Sequence, residues 1–201
     1  MAAGSVLVSV HPTRPFLKWL GVLFDRKLTF KWHVQELSTK ASRVSNALKS
    51  LGNTERGVPA SLIRQAVTSC VLPIAYYAAE TWWPGRARPG RLGNVSNRVD
   101  SLVRLLDKVV LSGARAILPV YRTTPNPALF REAGLPPSEL KLDNIALSST
   151  ARLRRLDRRH PLRLRADKIA RTGNSSTRLA RRVLSLPPSE EIDPLRLPPW
   201  H

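Results

Sequence analysis

The stretch FLKWLGVLFDRKLTFKWHV, residues 16–34, decides how the chain begins to fold. Its apolar run 17–24 predicts a β-strand, and Gly21 within that run indicates that the strand passes close to another backbone. The segment Ser5–Val10 alternates apolar and small polar residues, which is typical of a half-buried strand. We therefore expect a short N-terminal β-hairpin in which Ser5–Val10 pairs with Trp19–Phe24.

A long helix is predicted directly after this hairpin. Asp25 and Arg26 indicate a turn, and Thr29 is placed to cap a helix that starts at Lys31. Apolar residues then recur every three or four positions over 31–51, which is the spacing of a helix with one buried face. Gly52 supplies a stop.

The next segment predicts a second, mostly buried helical unit. Pro59 stands near its start, and apolar residues follow at helical spacing through Cys70, which we expect to be a buried core thiol. Pro73 should kink or end this helix, with Ile74–Trp83 continuing as a shorter apolar helix. The run 66–83 is long enough to cross a membrane, yet Pro73, Glu80 and its aromatic end favour a buried helix pair.

Beyond this unit the chain reads as amphipathic helices separated by proline-rich connectors. We predict a mainly α protein with a short N-terminal β-hairpin, a helix bundle, a second small helical subdomain and a disordered C-terminal tail. The expected segments are 1–30 (the hairpin), 31–83 (helices), 84–99 (a flexible basic loop), 100–172 (further helices) and 173–201 (the tail).

The charge of the chain indicates a polyanionic partner. Lys and Arg number 33 against 14 Asp and Glu in 201 residues, which gives a net charge of +19 and a pI near 11.5. Nucleic acid and an acidic membrane surface both fit such a charge. A basic, partly disordered chain without a specific ligand is the alternative. No signal peptide is recognisable, so we expect an intracellular protein, nuclear or cytoplasmic, that is not secreted.

Catalysis by this chain alone is not expected. Cys70 is the only cysteine, which excludes an internal disulfide and a multi-cysteine zinc site. Transfer of nucleotides requires paired carboxylates that hold divalent metal ions, and the sequence contains no Asp-Asp pair. The glycines at 85, 90 and 93 fit no phosphate-binding loop, and His33 reads as a packing or capping residue. We therefore expect no catalytic residue, cofactor or metal in this chain.

Basic side chains are the candidate binding residues, because a duplex is gripped mainly through its phosphates. The first helix supplies four of them. A denser group lies in the run 151–182, which contains twelve basic residues and only two acidic ones, Asp157 and Asp167. The aromatic pairs 76–77 and 82–83, with Trp19 and Trp32, read as packing residues, although base stacking is possible. The basic candidates are Lys31, Lys40, Arg43, Lys49, Arg152, Arg154, Arg155, Arg158 and Arg159.

Four sequence blocks, taken in order, resemble the reverse transcriptases of non-LTR (LINE-type) retrotransposons, especially fungal ones. They are WLGVLFDRKLTFKWHV (19–34), LIRQAVTSCVLPIAYYAAETWW (62–83), SGARAILPVYRTTPNPALFREAGLPPSELKLD (112–143) and RLRRLDRRHPLR (152–163). The third block, with RTTP followed by AL and AGLPP, is the most specific. Ala78 and the Leu118-Pro119 pair depart from the family pattern, which has glycine at these places.

The resemblance implies a fragment that runs from the primer grip at the end of the polymerase palm through the thumb and connection. The palm aspartates, the fingers and the ribonuclease H domain, with the Mg²⁺ of the parent polymerase, would lie outside it. Trp19, Leu20, Gly21 and Val22 match the primer grip and are added to the nucleic-acid-binding candidates. Arg122, Thr123 and Thr124 match the RTTP motif, for which a structural turn is expected.

The main hypothesis is a non-catalytic fragment that contacts an RNA/DNA template–primer duplex and depends on the missing palm and fingers. Two further hypotheses stay open beside it. A freestanding basic helical protein that binds RNA or DNA would show saturable, strongly salt-dependent binding as a folded monomer. A membrane-associated helical hairpin built on 62–83 is the most distant alternative. The fragment hypothesis involves neither a membrane nor a small-molecule substrate.

Overall fold

The computed structural model describes residues 16–52, 57–83, 97–173 and Val183. Over these residues the chain is mainly helical, with one two-stranded antiparallel hairpin at the N-terminal side. The predicted fold class is therefore confirmed. The expected strand Ser5–Val10, most of the basic loop 84–99 and the tail after Gly173, apart from Val183, fall outside the described residues.

The hairpin differs from the predicted one. Strand β1 (Phe16–Trp19) pairs with β2 (Val22–Asp25), so the apolar run 17–24 is two strands and not one. Leu20 and Gly21 form the two-residue turn with φ of 46° and 79°, and such left-handed turns match the twist of a hairpin. A Cβ at Gly21 would lie 3.2 Å from the Tyr77 ring. The close approach predicted at Gly21 is thus to a side chain and not to another backbone.

Helix α1 (Lys31–Leu51) has the predicted bounds, and the Thr29 hydroxyl accepts a long hydrogen bond of 3.4 Å from the Lys31 backbone N–H, although Thr29 does not occupy the N-cap position. The N-cap position is Phe30, which has φ of 57° and no capping side chain. Asp25 accepts hydrogen bonds from the Thr29 backbone N–H at 2.5 Å and from the Thr29 hydroxyl. These bonds close the Asp25 turn, and they outweigh the cost of burial and lower the pKa of the Asp25 carboxyl.

The second helical unit contains a local widening that the sequence did not predict. Helix α2 (Ala60–Ala66) continues through a π-helical segment, Val67–Val71, into α3 (Leu72–Ala75), and after a turn α4 spans Ala79–Trp82. The single helix predicted over Ile74–Trp83 is therefore wrong, because the chain leaves the helix at residues 76–78, where Ala78 has φ of 53°. Pro73 lies inside α3 and does not end the helix there. Proline lacks an N–H and its ring meets the carbonyl four residues earlier, and the wider π turns directly before it accommodate both effects.

This widening explains why the prediction for Cys70 was wrong. Val67, Val71 and Leu72 are buried, which is a spacing of four and five residues, while Cys70 is exposed. A regular α-helix would place residues 67 and 70 on the same face. The π segment rotates Cys70 outward.

The core lies where α1 packs against α5, which spans Asn97–Ile117 and includes the predicted amphipathic stretch. Val34, Leu106 and Val110 have no exposed surface there. Gly113 permits a close approach of α5 to the π-helical segment, since a Cβ at this position would lie 3.0 Å from Cγ1 of Val67. The destabilising effect of Gly113 within a helix is thus offset by packing between helices.

The C-terminal helices are attached to this core by polar side chains. They are α6 (Asn126–Ala133), α7 (Ser138–Arg154) and α8 (Pro161–Thr172). Arg64 donates from Nε to the Ala133 carbonyl at 2.8 Å, which joins α2 to the end of α6. The Tyr76 hydroxyl donates to Ser138 Oγ at 3.1 Å, and burial raises the pKa of that phenol.

The apolar residues of α7 do not all lie on one buried face. Leu140 and Leu147 are 63% and 55% exposed, whereas Leu142 and Ala146 are buried. Trp83 is almost fully buried and donates from Nε1 to the Asp143 carboxylate at 2.6 Å. That contact fixes the side of α7 that faces α4, and it leaves the two leucines outside.

Candidate nucleic-acid interface

The hairpin tip presents apolar side chains on a fixed backbone. Trp19 and Leu20 are 62% and 73% exposed, and Gly21 completes the turn. The Tyr77 hydroxyl donates a hydrogen bond to the Leu20 carbonyl at 2.9 Å. The Trp19 ring lies 6.2 Å from the Phe24 ring, so one edge packs while most of the indole remains accessible. The packing predicted for Trp19 is therefore only partial.

His33 holds the hairpin to the helical unit and is not available to a ligand. It is buried, and its Nε2 lies 3.3 Å from the Tyr77 carbonyl, which can only accept a hydrogen bond. Nε2 therefore carries the proton, and Nδ1 accepts a long bond of 3.5 Å from the Leu23 backbone N–H. Burial lowers the pKa of this imidazole. The predicted packing role of His33 is confirmed.

The four basic candidates on α1 do not form one stripe. Lys31 and Lys49 are five helical turns apart on the same side, about 27 Å along the axis. By the same geometry Arg43 and Lys40 lie about 120° and 180° around the helix from them. The Lys40 ammonium is 2.6 Å from the Glu36 carboxylate and lowers the pKa of that acid. Any contact through α1 would use one or two of these side chains at a time.

The candidate arginines near the end of the described chain lie around one turn. Helix α7 ends at Arg154 and α8 begins at Pro161, and the turn between them includes Asp157. The Asp157 carboxylate accepts a hydrogen bond from the backbone N–H of Arg159 at 2.6 Å, so it is oriented by the backbone. We call the five residues Arg152, Arg154, Arg155, Arg158 and Arg159 the arginine turn.

Four members of the arginine turn are exposed, and the fifth is partly used by the fold. Arg154 is half-buried and donates from Nη2 to the Val183 carbonyl at a long 3.5 Å. Arg152 also lies in the last turn of α7, where a cation is favoured by the helix dipole. Arg155 is the C-cap of α7, where the helix dipole also favours a cation, whereas Arg159 stands outside both helices.

Helix α8 extends this positive surface. The His160 ring caps the helix by accepting a hydrogen bond from the Leu162 backbone N–H at 3.2 Å. Arg163 is buried and bonds Asp167 at 3.0 Å, so its charge is neutralised locally. The exposed cations Arg165, Lys168 and Arg171 were counted in the basic run but were not among the candidate site residues.

Sequence reasoning missed two residues at the end of α5. Tyr121 is 86% exposed, and the half-buried Arg115 has a buried Nε for which no hydrogen-bond partner lies in the described part of the chain. Tyr121 directly precedes Arg122, Thr123 and Thr124, which form the predicted turn, and its exposure could not be read from the motif. The only available signal was an aromatic residue between two prolines.

Two kinds of site are absent from the described part of the chain. No group of three or more His, Cys, Asp or Glu side chains is placed to hold a metal ion among residues 16–52, 57–83, 97–173 and 183. In the same ranges no helix is long and apolar enough to cross a membrane.

Comparison of the chain with protein-family models, with curated proteins and with solved structures finds no match in any of the three.

Proposed function

We propose that this chain is a non-catalytic thumb and connection portion of a non-LTR retrotransposon reverse transcriptase that binds the phosphates of a template–primer duplex through the arginine turn and α8. The observation that carries the proposal is the density of cations there. Residues 152–159 contain five arginines and one carboxylate, that of Asp157. This carboxylate accepts a hydrogen bond from the backbone N–H of Arg159. The four resembling sequence blocks supply the family.

Duplex phosphates are the ligand that this surface suits best. Arginine donates through a planar fork that fits phosphate oxygens, and such contacts need no exact base sequence. The exposed residues Arg155, Arg158 and Arg159 are near neighbours in the chain, as successive phosphates along a strand would require. Binding of this kind is strongly dependent on salt and only weakly dependent on sequence.

The hairpin tip supports the polymerase part of the proposal. Trp19 and Leu20 are large, exposed and apolar, and the backbone beneath them is held by Tyr77. Exposed apolar residues on an ordered turn are typical of surfaces that dock on another protein or ligand. In a polymerase of this family the palm and the primer end would cover them.

A freestanding basic helical nucleic-acid-binding protein is the second candidate. The observation that favours it is the closed core, in which Val34, Val67, Val71 and Val110 have no exposed surface. Such a core does not require another domain to complete it. This candidate predicts the same dependence on the arginine turn but none on the hairpin tip.

The binding half of the proposal is tested by removing charge locally. The triple variant Arg152→Gln, Arg155→Gln, Arg159→Gln should bind a fluorescent RNA–DNA hybrid at least tenfold more weakly in an anisotropy titration, since about one phosphate contact is lost per residue. The control Lys18→Gln, Arg104→Gln, Lys108→Gln removes equal charge from exposed positions on β1 and α5 and should change the affinity less than threefold. Equal losses in the two variants would refute a local binding surface.

The catalytic half is tested by primer extension. We expect no templated synthesis by the purified chain with Mg²⁺ or Mn²⁺, because the sequence contains no Asp-Asp pair to hold the ions. Any extension product that depends on the template would overturn this expectation.

A further inference from the structure

The chain returns to the arginine turn at Val183, the last residue that the structure describes. Val183 is buried, with 4% of its surface exposed, and its carbonyl accepts the long hydrogen bond from Nη2 of Arg154. Arg154 is itself a half-buried member of the arginine turn. Residues 184–201, which we call the acidic segment, therefore start directly beside the surface that we propose for phosphate binding.

The charge of the acidic segment is opposite to that of the rest of the chain. It contains Glu190, Glu191 and Asp193 and one cation, Arg196, so its net charge is −2 in a chain of +19. Its three carboxylates fall within four positions, whereas elsewhere in the sequence no two acidic residues are closer than four positions apart. A guanidinium binds carboxylate and phosphate oxygens through the same planar fork. The acidic segment thus carries the chemistry that the arginine turn recognises.

The connection between Val183 and these carboxylates is long enough to reach the arginine turn. Glu190 follows Val183 by seven residues, which span up to about 25 Å when extended. Arg155 and Arg159 lie within five residues of Arg154, so their Cα atoms are at most about 18 Å from it, and the hydrogen-bonded turns at 153–160 shorten this distance. A connection this short holds the carboxylates near the arginines at an effective concentration in the millimolar range.

We propose that the acidic segment binds the arginine turn of the same molecule and competes there with nucleic-acid phosphates. Its three carboxylates pair with the exposed guanidinium groups of Arg155 and Arg159 when no nucleic acid is bound. A duplex offers more phosphates than the segment offers carboxylates, so it displaces the segment at sufficient concentration. The segment is thus autoinhibitory and raises the concentration of nucleic acid that binding requires. This inference rests on the proposed phosphate binding and adds its regulation.

The first test measures the affinity of the full chain for the RNA–DNA hybrid by anisotropy. It is made at about 0.15 M KCl, where exposed charges more than about 8 Å apart are largely screened from each other. The acidic-segment variant is Glu190→Gln, Glu191→Gln, Asp193→Asn, which keeps the size of the side chains and removes their charge. It should bind the hybrid at least fivefold more tightly than the wild type, because the competitor is lost. Unchanged affinity would overturn the inference.

The matched control removes three carboxylates from the helices α1, α5 and α6. Two of them, Glu36 and Asp100, pair with Lys40 and Arg104, so their removal also releases cations. The control is Glu36→Gln, Asp100→Asn, Glu132→Gln, and it should tighten binding less than twofold. Equal gains in the two variants would show an effect of net charge alone and would overturn the inference.

A double-mutant cycle locates the contact on the arginine turn. The second background is the triple variant Arg152→Gln, Arg155→Gln, Arg159→Gln. In this background the acidic-segment substitutions should change the remaining affinity less than twofold, because the surface for which the segment competes is already removed. A gain as large as in the wild-type background would mean that the segment acts elsewhere, and the inference would be refuted.

A measurement without nucleic acid separates failure of this inference from failure of the proposed function. The exposed Cys70 is replaced by serine, and a nitroxide is attached to Ser189→Cys. The nitroxide should broaden the amide NMR signals of Arg155 and Arg159 more strongly than it does in the acidic-segment variant, and 1 M KCl should remove the difference. Absence of a difference refutes the inference alone if the hybrid still binds through the arginine turn. A clear difference in a chain that binds no hybrid refutes the proposed function alone.

Discussion

Ser45 places a hydroxyl between α1 and α5, near Gly113. Its side chain is fully buried, its Oγ has no hydrogen-bond partner among the described residues, and a Cβ at Gly113 would lie 3.9 Å away. An unsatisfied buried hydroxyl is costly, and alanine is also the better helix former. Ser45→Ala should therefore raise the free energy of unfolding by about 1 kcal/mol in urea. The control Ser50→Ala removes an exposed hydroxyl that donates to the Ala47 carbonyl and should have a much smaller effect. A less stable Ser45→Ala protein would show that the hydroxyl is satisfied in solution.

The second prediction at the residue scale concerns pH. Burial holds the pKa of His33 below its ordinary value of 6.5, so the folded chain binds this proton more weakly than the unfolded chain. The resulting stability is present above about pH 6.5 and is lost as the pH falls from there toward the folded pKa. Glu36 raises the pKa of His33, and Lys40 lowers it, but desolvation is the larger effect.

The measurement is urea unfolding at pH 7.5 and 5.5 for the wild type and His33→Gln. Glutamine can still donate to the Tyr77 carbonyl but does not titrate. We expect the wild type to lose more stability on acidification than the variant, because all other titrating groups are shared. Equal losses in the two proteins would contradict the assignment of a neutral, buried His33.

At the scale of elements, the hairpin contains a local conflict that predicts a stabilising substitution. Leu20 has φ of 46°, a conformation that costs a leucine about 1 kcal/mol and that asparagine tolerates. Leu20→Asn should therefore stabilise the chain by about 0.5–1 kcal/mol, yet weaken binding to a template–primer duplex if the exposed side chain makes contact. Leu28→Asn is a matched control, since Leu28 also has positive φ, 48°, but lies outside the tip. Lower stability of Leu20→Asn would contradict the assigned turn.

Helix bounds could be predicted well because hydrophobic spacing is a local property of the chain. The elements that differ from the prediction do so because of tertiary contacts, which the local spacing of hydrophobic residues does not encode. Cys70 turns outward because Pro73 is accommodated by a π segment, and Leu147 stays outside because Trp83 fixes the face of α7 through Asp143. The turn at Leu20-Gly21 was missed because its flanking residues are as apolar as a continuous strand.

The candidate site could be predicted only in part for the same reason. The arginine turn follows from charge density, which the sequence displays directly. The exposure of Tyr121 does not, since it depends on the turn that the chain makes after α5.

At the scale of the whole molecule, the structure is a closed helical core with two accessible features on different elements. The hairpin tip is apolar and attached through Tyr77, and the arginine turn is cationic and attached through α7. α1 and α7 both pack on α5, which connects the two regions. In the proposed function, the tip contacts protein and the primer end, and the arginine turn contacts phosphates.

The most direct test of the central claim is the salt dependence of duplex binding by the wild-type chain. The affinity for an RNA–DNA hybrid should be measured by anisotropy at several concentrations of KCl, and its logarithm plotted against the logarithm of salt. Contact of the exposed arginines with phosphates predicts a straight line with a slope of about −3 or steeper. A slope near zero, or no saturable binding at low salt, would contradict the account.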